Sequence, residues 1–167
     1  MAATCRDLVA ADDRLQQVVH DVLDAGERGR HCLVLTQWTS HLDRLTAELT
    51  EHGRPPVVLR GDMGVKQRAA AFAQLEHPTA DEPPLVVATG PFVGEGFDCK
   101  GFDALFLAAP IAFKGRLVQY VGRILRPYRG KVTAEVHDYH DIHEGVLASS
   151  LVKRAPGYVS LGIPDPR

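Results

Sequence analysis

The chain has 167 residues and a mass of 18.2 kDa, enough for one domain with a proper core and too little for two comfortable ones. Hydrophobic residues at 45% and charged residues at 24% exclude wholesale disorder, collagen-like repeats and coiled-coil composition. Lys+Arg 19 against Asp+Glu 21 gives a net charge of -2, so bulk charge offers no support for a nucleic-acid coat or a basic membrane binder, and any anion site must be local.

No apolar stretch approaches the roughly 18 residues needed to span a bilayer. The start mixes Arg6, Asp7, Asp12 and Asp13, unlike a signal peptide, so a cytoplasmic protein is expected. Cys5, Cys32 and Cys99 are odd in number and widely spaced, with no C-x-x-C pair. They suggest neither a disulfide framework nor a zinc site, and they read as structural.

Short β-branched runs alternate with segments of helical period. Asp12 or Asp13 caps a first helix with Leu15, Val18, Val19, Val22 and Leu23 on one face, ended by Gly26 and Gly29. Cys32 to Thr36 is a strand. Ser40, with Asp43 at the capping-box position, opens a helix carrying Leu42, Leu45 and Leu49 and stopped by Gly53. Pro56 to Leu59 is a second strand, Gly61 to Gly64 a turn, Lys66 to Leu75 a helix, and His77 to Pro84 a polar loop. Leu85 to Thr89 and Ala104 to Ala108 are further strands, separated by the glycine-rich stretch Gly90 to Gly101. A helix follows, then a fifth strand from Val132 to Tyr139. The strand runs are apolar on both faces, as strands of a parallel sheet covered by helices are. A single three-layer α/β/α domain with a mainly parallel sheet is expected, with a loosely packed tail after Arg154. Ligands of such sheets gather at the carboxyl ends of strands, which directs attention to the loops after Thr36, Thr89 and Ala108.

The sharpest signal is Gln119-Tyr120-Val121-Gly122-Arg123-Ile124-Leu125-Arg126. At helical spacing Gln119, Arg123 and Arg126 share one edge, and apolar side chains cover the opposite arc. Guanidinium groups stay charged and offer forked donors that fit phosphate oxygens, while a glutamine amide can orient a water. Between Ala104 and Ala134 there is no acidic residue, yet Lys114, Arg116, Arg123, Arg126, Arg129 and Lys131 are present. Residues 101–131 thus hold 6 basic and 1 acidic side chains in an otherwise acidic chain. A solvated face usually mixes signs, so this edge is read as a phosphate site.

Gln119-x-x-Gly122-Arg123-x-x-Arg126 resembles motif VI of the superfamily 2 helicases and translocases, whose arginines act as fingers on ATP held by a partner domain. Ala88-Thr89-Gly90 leading to Gly94-Glu95-Gly96-Phe97-Asp98 resembles motif V. Leu33-Val34-Leu35-Thr36-Gln37 resembles motif IV, and Leu59-Arg60-Gly61-Asp62-Met63 is similar to motif IVa. The similarity covers about residues 12–155 and is closest to bacterial DEAD/DEAH-type helicases related to type III restriction enzymes and their translocating subunits. It implies a RecA-like helicase C-terminal domain over residues 1–155, with 156–167 as a tail.

The resemblance further implies catalytic roles for Arg123, Arg126 and Gln119, and places Gly96 and Asp98 near the nucleotide with both arginines. Thr36, Gln37, Gly61, Thr89 and Gly90 would touch the nucleic-acid backbone, with DNA favoured over RNA. The phosphate loop G-x-x-x-x-G-K-[ST] and the acidic pair that holds magnesium are absent: Gly61 to Lys66 lacks the spacing, and Asp81-Glu82 follows no strand. ATP and Mg²⁺ are therefore expected on a first motor domain, and this chain alone is not expected to hydrolyse ATP.

Other features point less far. His137, His140 and His143 fit no metal-ligand spacing and run from a strand into a helix, so no metal is expected. Trp38 reads as a packing residue with base stacking as the rival use, and Tyr158 and Leu161 can dock the tail. Two other function classes stay open. One is a non-catalytic helicase-like module that binds protein or nucleic acid. The other is a small-molecule enzyme, against which stand the missing G-x-G-x-x-G after the first strand and the lack of a general base beside the glycine loop.

Overall fold

A computed structural model of the chain describes residues 12–76, 83–90, 101–109, 114–139 and 145–165, with the side chains of 114–117 and 145–151 left aside. In chain order the elements are α1 (Asp12–Glu27), β1 (Cys32–Thr36), α2 (Thr39–Glu51), β2 (Val57–Leu59), α3 (Val65–Glu76) and β3 (Leu85–Thr89). β4 (Ala104–Leu107), α4 (Lys114–Ile124), β5 (Glu135–Asp138) and α5 (Gly145–Ser160) follow. The five strands form one sheet in the order β2-β3-β1-β4-β5, and every described pairing is parallel.

Alternation along the strands sorts the core into two layers. Leu33 and Leu35 of β1, with Val86, Ala88, Leu105 and Leu107, meet Ala71 of α3, Tyr120, Val121 and Ile124 of α4 and Tyr158 of α5. Cys32, Val34, Val87 and Phe106 point the other way, against Leu15, Val18 and Val22 of α1 and Leu42, Leu45 and Leu49 of α2. Each central strand is buried along its whole length. That is why these runs are unbroken Val, Leu, Ala and Phe, and truncating a leucine such as Leu45 would cost about 2–5 kcal/mol. The three-layer α/β/α expectation is met. Burial pushes the Cys32 thiol up to about 12, leaving it a protonated core group.

The connections place the functional end. From β1 the chain passes to α2 on one face, and from the adjacent β4 it passes to α4 on the other, so β1 and β4 flank a topological switch point.

Several local expectations need correction. Gly26 does not end α1; it lies inside the helix, where a Cβ would stand 2.8 Å from Nη1 of Arg54, and the stop falls at Gly29 with φ +77°. α2 starts at Thr39 with Trp38 at its N-cap and no side-chain cap. Asp43 turns instead to Arg60, 3.3 Å away across the helix–strand boundary. β5 starts at Glu135, because a turn at Arg129–Gly130 precedes it and Val132 is exposed.

The segment expected as a loose tail continues α5 through Pro156 to Ser160. Buried interactions outweigh the proline's missing N–H. Arg154 donates Nε and Nη2 to the two Asp138 carboxylate oxygens at 3.1 and 3.0 Å, and the Tyr158 hydroxyl donates to Asp138 at 2.7 Å. Tyr158 is buried and Leu161 packs on the core, as the docking reading anticipates.

Candidate nucleotide and nucleic-acid interface

Thr36 and Thr89 are register partners at the carboxyl ends of β1 and β3, and Leu59 of β2 pairs with Ala88 just before them. The residues after these three neighbouring strands therefore form one row along the sheet edge. It contains Thr36, Gln37, Gly61, Thr89 and Gly90, so the structure brings together all five positions expected to meet nucleic acid.

Their exposure differs. Gln37 and Gly61 are exposed, and a Cβ at Gly61 would meet nothing within 4 Å. Thr36 and Thr89 are buried, and the Thr36 Oγ1 lies 3.0 Å from Nδ1 of His41, itself buried at the start of α2. Burial, followed by the charges of Arg14 and Arg44, lowers the His41 pKa to about 4, so its ring is neutral at neutral pH and fit to accept the threonine proton. Thr36 thus shapes the turn from β1 into α2, leaving Gln37 and the loop backbone as the outward groups. Gly90 is buried, its carbonyl accepts from the Tyr120 hydroxyl, and a Cβ there would come within 3.3 Å of that oxygen.

The arginine edge is only partly as expected. Tyr120, Val121 and Ile124 are buried, Gln119 is exposed and Arg123 half-buried. Arg126, however, lies beyond α4, which ends at Ile124. The cause is local: Pro127 disfavours helical angles at the residue before it, and the Arg126 N–H turns back to the Arg123 carbonyl at 3.3 Å. Lys131 then closes the helix end, donating from Nζ to the carbonyls of Ile124, Phe102 (2.7 Å) and Arg126 (3.3 Å). Lys131 is therefore a helix cap and not a free member of the basic edge.

α4 links two places without merging them. Through Tyr120 it touches the exit of β3, and through its capped end it touches Phe102 at the entrance of β4. Arg123 and Arg126 stand toward that second end, apart from the Thr36–Gly61–Thr89 row. Gly96 and Asp98, like His140, His143, Cys5 and Cys99, lie outside the described residues. Sequence reasoning missed His41, Tyr120 and Lys131 as the groups that hold these loops. Their only signal was a polar group next to a strand end or inside an apolar stripe.

Among the described residues no group of three or more His, Cys, Asp or Glu could hold a metal ion. His137 stacks on Phe106 with ring centroids 4.5 Å apart, and its Nε2 lies 3.4 Å from Glu135. Trp38 is half-buried. No helix among the described residues is long and apolar enough to cross a membrane.

Comparison with known proteins fits this geometry. The structure resembles T4 UvsW, with TM-score 0.73 and 16% identity over 96% of this chain and 35% of that one, so this chain spans about a third of that protein's length. It also resembles the E. coli DEAD-box protein SrmB bound to regulator of ribonuclease activity A, with TM-score 0.65, 21% identity, and 86% and 77% of the two chains covered. The DNA-bound Type ISP restriction-modification enzyme LlaBIII matches at TM-score 0.63 and 18% identity, over 89% of this chain and 12% of that one. These identities speak for the fold. No curated protein sequence matches. The model of the helicase conserved C-terminal domain matches residues 13–128, more than half of the chain, and the chain belongs to that family.

Proposed function

We propose that this chain is the second motor domain of a cytoplasmic ATP-dependent helicase or translocase, working with a first motor domain that carries the phosphate loop and holds ATP and Mg²⁺. Bound ATP supplies the phosphoanhydride whose hydrolysis drives the cycle. This chain's part is electrostatic and positional. Arg123 and Arg126 face the phosphates across the domain boundary and neutralise charge developing there, and Gln119 orients water or a phosphate oxygen. Gly96 and Asp98 complete the nucleotide side. The row of Gln37, Gly61, Thr89 and Gly90, with Thr36 behind it, follows the nucleic-acid backbone through loop amides and hydroxyls.

The observation that carries this reading is the arrangement on α4: an arginine end separate from the strand-exit row, with Tyr120 bonded to Gly90 between them. Closure on a nucleotide at one end can thereby be felt at the other. A DNA track and a relation to restriction-type translocases are part of this proposal; the fold is shared both with a restriction enzyme bound to DNA and with a DEAD-box protein.

Turnover and binding assays with ATP, single strand and duplex, on this chain with and without the first domain, test the reading. ATPase activity only in the pair, stimulated by nucleic acid and less so in Thr89→Ala, is expected. Binding of nucleic acid or protein with no turnover in the pair would instead indicate a non-catalytic module.

A further inference from the structure

Most arginines of the described structure are engaged. Arg28 and Arg30 hold Glu135 and Asp103, Arg60 holds Asp43, and Arg154 holds Asp138. Arg126 and Arg129 differ: both are exposed, and neither side chain has a partner among the described residues. Between them stands Tyr128, 54% exposed, an unusual place for a large ring in a chain with only 4 tyrosines.

The segment is held in one shape. The Lys131 N–H donates to the Tyr128 carbonyl at 3.0 Å, closing a tight turn with Gly130 at φ +83°, a value that favours glycine. The Lys131 side chain pins the same turn to the end of α4 and to Phe102. One edge of the Tyr128 ring rests near Gly101, where a Cβ would stand 4.0 Å from Cε1. An aromatic face is thus presented outward from a fixed turn, flanked by two guanidiniums that have no side-chain partner among the described residues, and the sequence has no carboxylate from residue 104 to residue 134. A ring that offers a π-face beside cations suits a purine attached to phosphates.

We propose that this turn is a base platform: the Tyr128 ring stacks on the purine of a nucleoside triphosphate, and Arg129 contacts its ribose-phosphate side. The inference rests on the reading that Arg123 and Arg126 face nucleotide phosphates, and it deepens that reading by placing the base. A nucleotide is favoured over a nucleic-acid strand because the turn adjoins the entrance of β4 and the arginine end of α4. The row proposed for the strand lies at the exits of β1, β2 and β3. Tyr128 belongs to neither core cluster, so its removal is expected to leave the fold intact.

The test is saturation-transfer NMR on the full 167-residue chain with millimolar ATP, reading the adenine ring protons and, separately, the phosphorus resonances. Adenine transfer in the wild type, weakened about tenfold in Tyr128→Ala and retained in Tyr128→Phe, is expected for a stacked base. Equal transfer in Tyr128→Ala, or none in the wild type, overturns the platform. So does Tyr128-dependent transfer to a thymidine oligonucleotide in the absence of any to ATP. The underlying reading fails in a different way: phosphorus shifts that do not change in Arg123→Ala or Arg126→Ala, while adenine transfer still depends on Tyr128, would keep the base platform and remove the arginines from the phosphates.

Discussion

The hydroxyl of Tyr120 donates to the carbonyl of Gly90, binding the helix that carries Arg123 to the strand exit that carries Thr89. Both groups are buried, so Tyr120→Phe leaves the Gly90 carbonyl without this donor at a cost of about 1–3 kcal/mol. Urea denaturation of the chain measures that loss. In the protein paired with its first motor domain, Tyr120→Phe is expected to weaken nucleic-acid stimulation of ATP turnover more than the unstimulated rate. An equal effect on both rates would make the bond a packing feature only.

The Asp138 carboxylate is enclosed by Arg154, 2% exposed, and by Tyr158 on the next turn of α5. Asp138→Ala removes the carboxylate that accepts both of these Arg154 bonds and the Tyr158 bond, and a loss of about 3–5 kcal/mol follows. Tyr158→Phe removes one bond and should cost about 1 kcal/mol. Thermal or chemical denaturation that ranked the two the other way would contradict the account of why α5 runs on through Pro156.

His41 couples the site to pH. Its folded pKa of about 4 lies below the ordinary histidine value of 6.5, so the unfolded chain takes up the proton first. The contribution is constant above about pH 6.5 and is lost as pH falls toward 4, with a limiting slope of about 1.4 kcal/mol per pH unit. Stability measured between pH 7 and pH 4 should therefore fall more steeply for the wild type than for His41→Gln. Parallel curves would show that the buried ring is not the group responsible.

The sheet was legible because its central strands are buried on both faces, and unbroken runs such as Leu33-Val34-Leu35 admit few other places. α1 and α2 were legible from their apolar stripes and from the stops at Gly29 and Gly53, both at positive φ, but two of their terminal details were not. Gly26 reads as a stop only if one cannot see that Arg54 fills the space beside it, and Asp43 reads as a capping partner only until Arg60 draws it away. Strand ends alone pointed to the loops after Thr36 and Thr89, while Gly61 was named only through the resemblance to motif IVa. The shape of the arginine edge did not, because Pro127 and Lys131 act together on Arg126 through contacts that no periodicity records. The tail was misjudged for the same reason: the two partners that outweigh Pro156, Arg154 and Asp138, are 16 residues apart.

The central claim is that the arginine end of α4 acts on ATP held by another domain. Its most direct test is ATP turnover by the paired motor domains carrying Arg123→Ala or Arg126→Ala, with nucleic-acid affinity measured alongside. Turnover reduced by about a thousandfold or more, with affinity nearly unchanged, is the predicted result. Wild-type turnover in both variants would contradict the account.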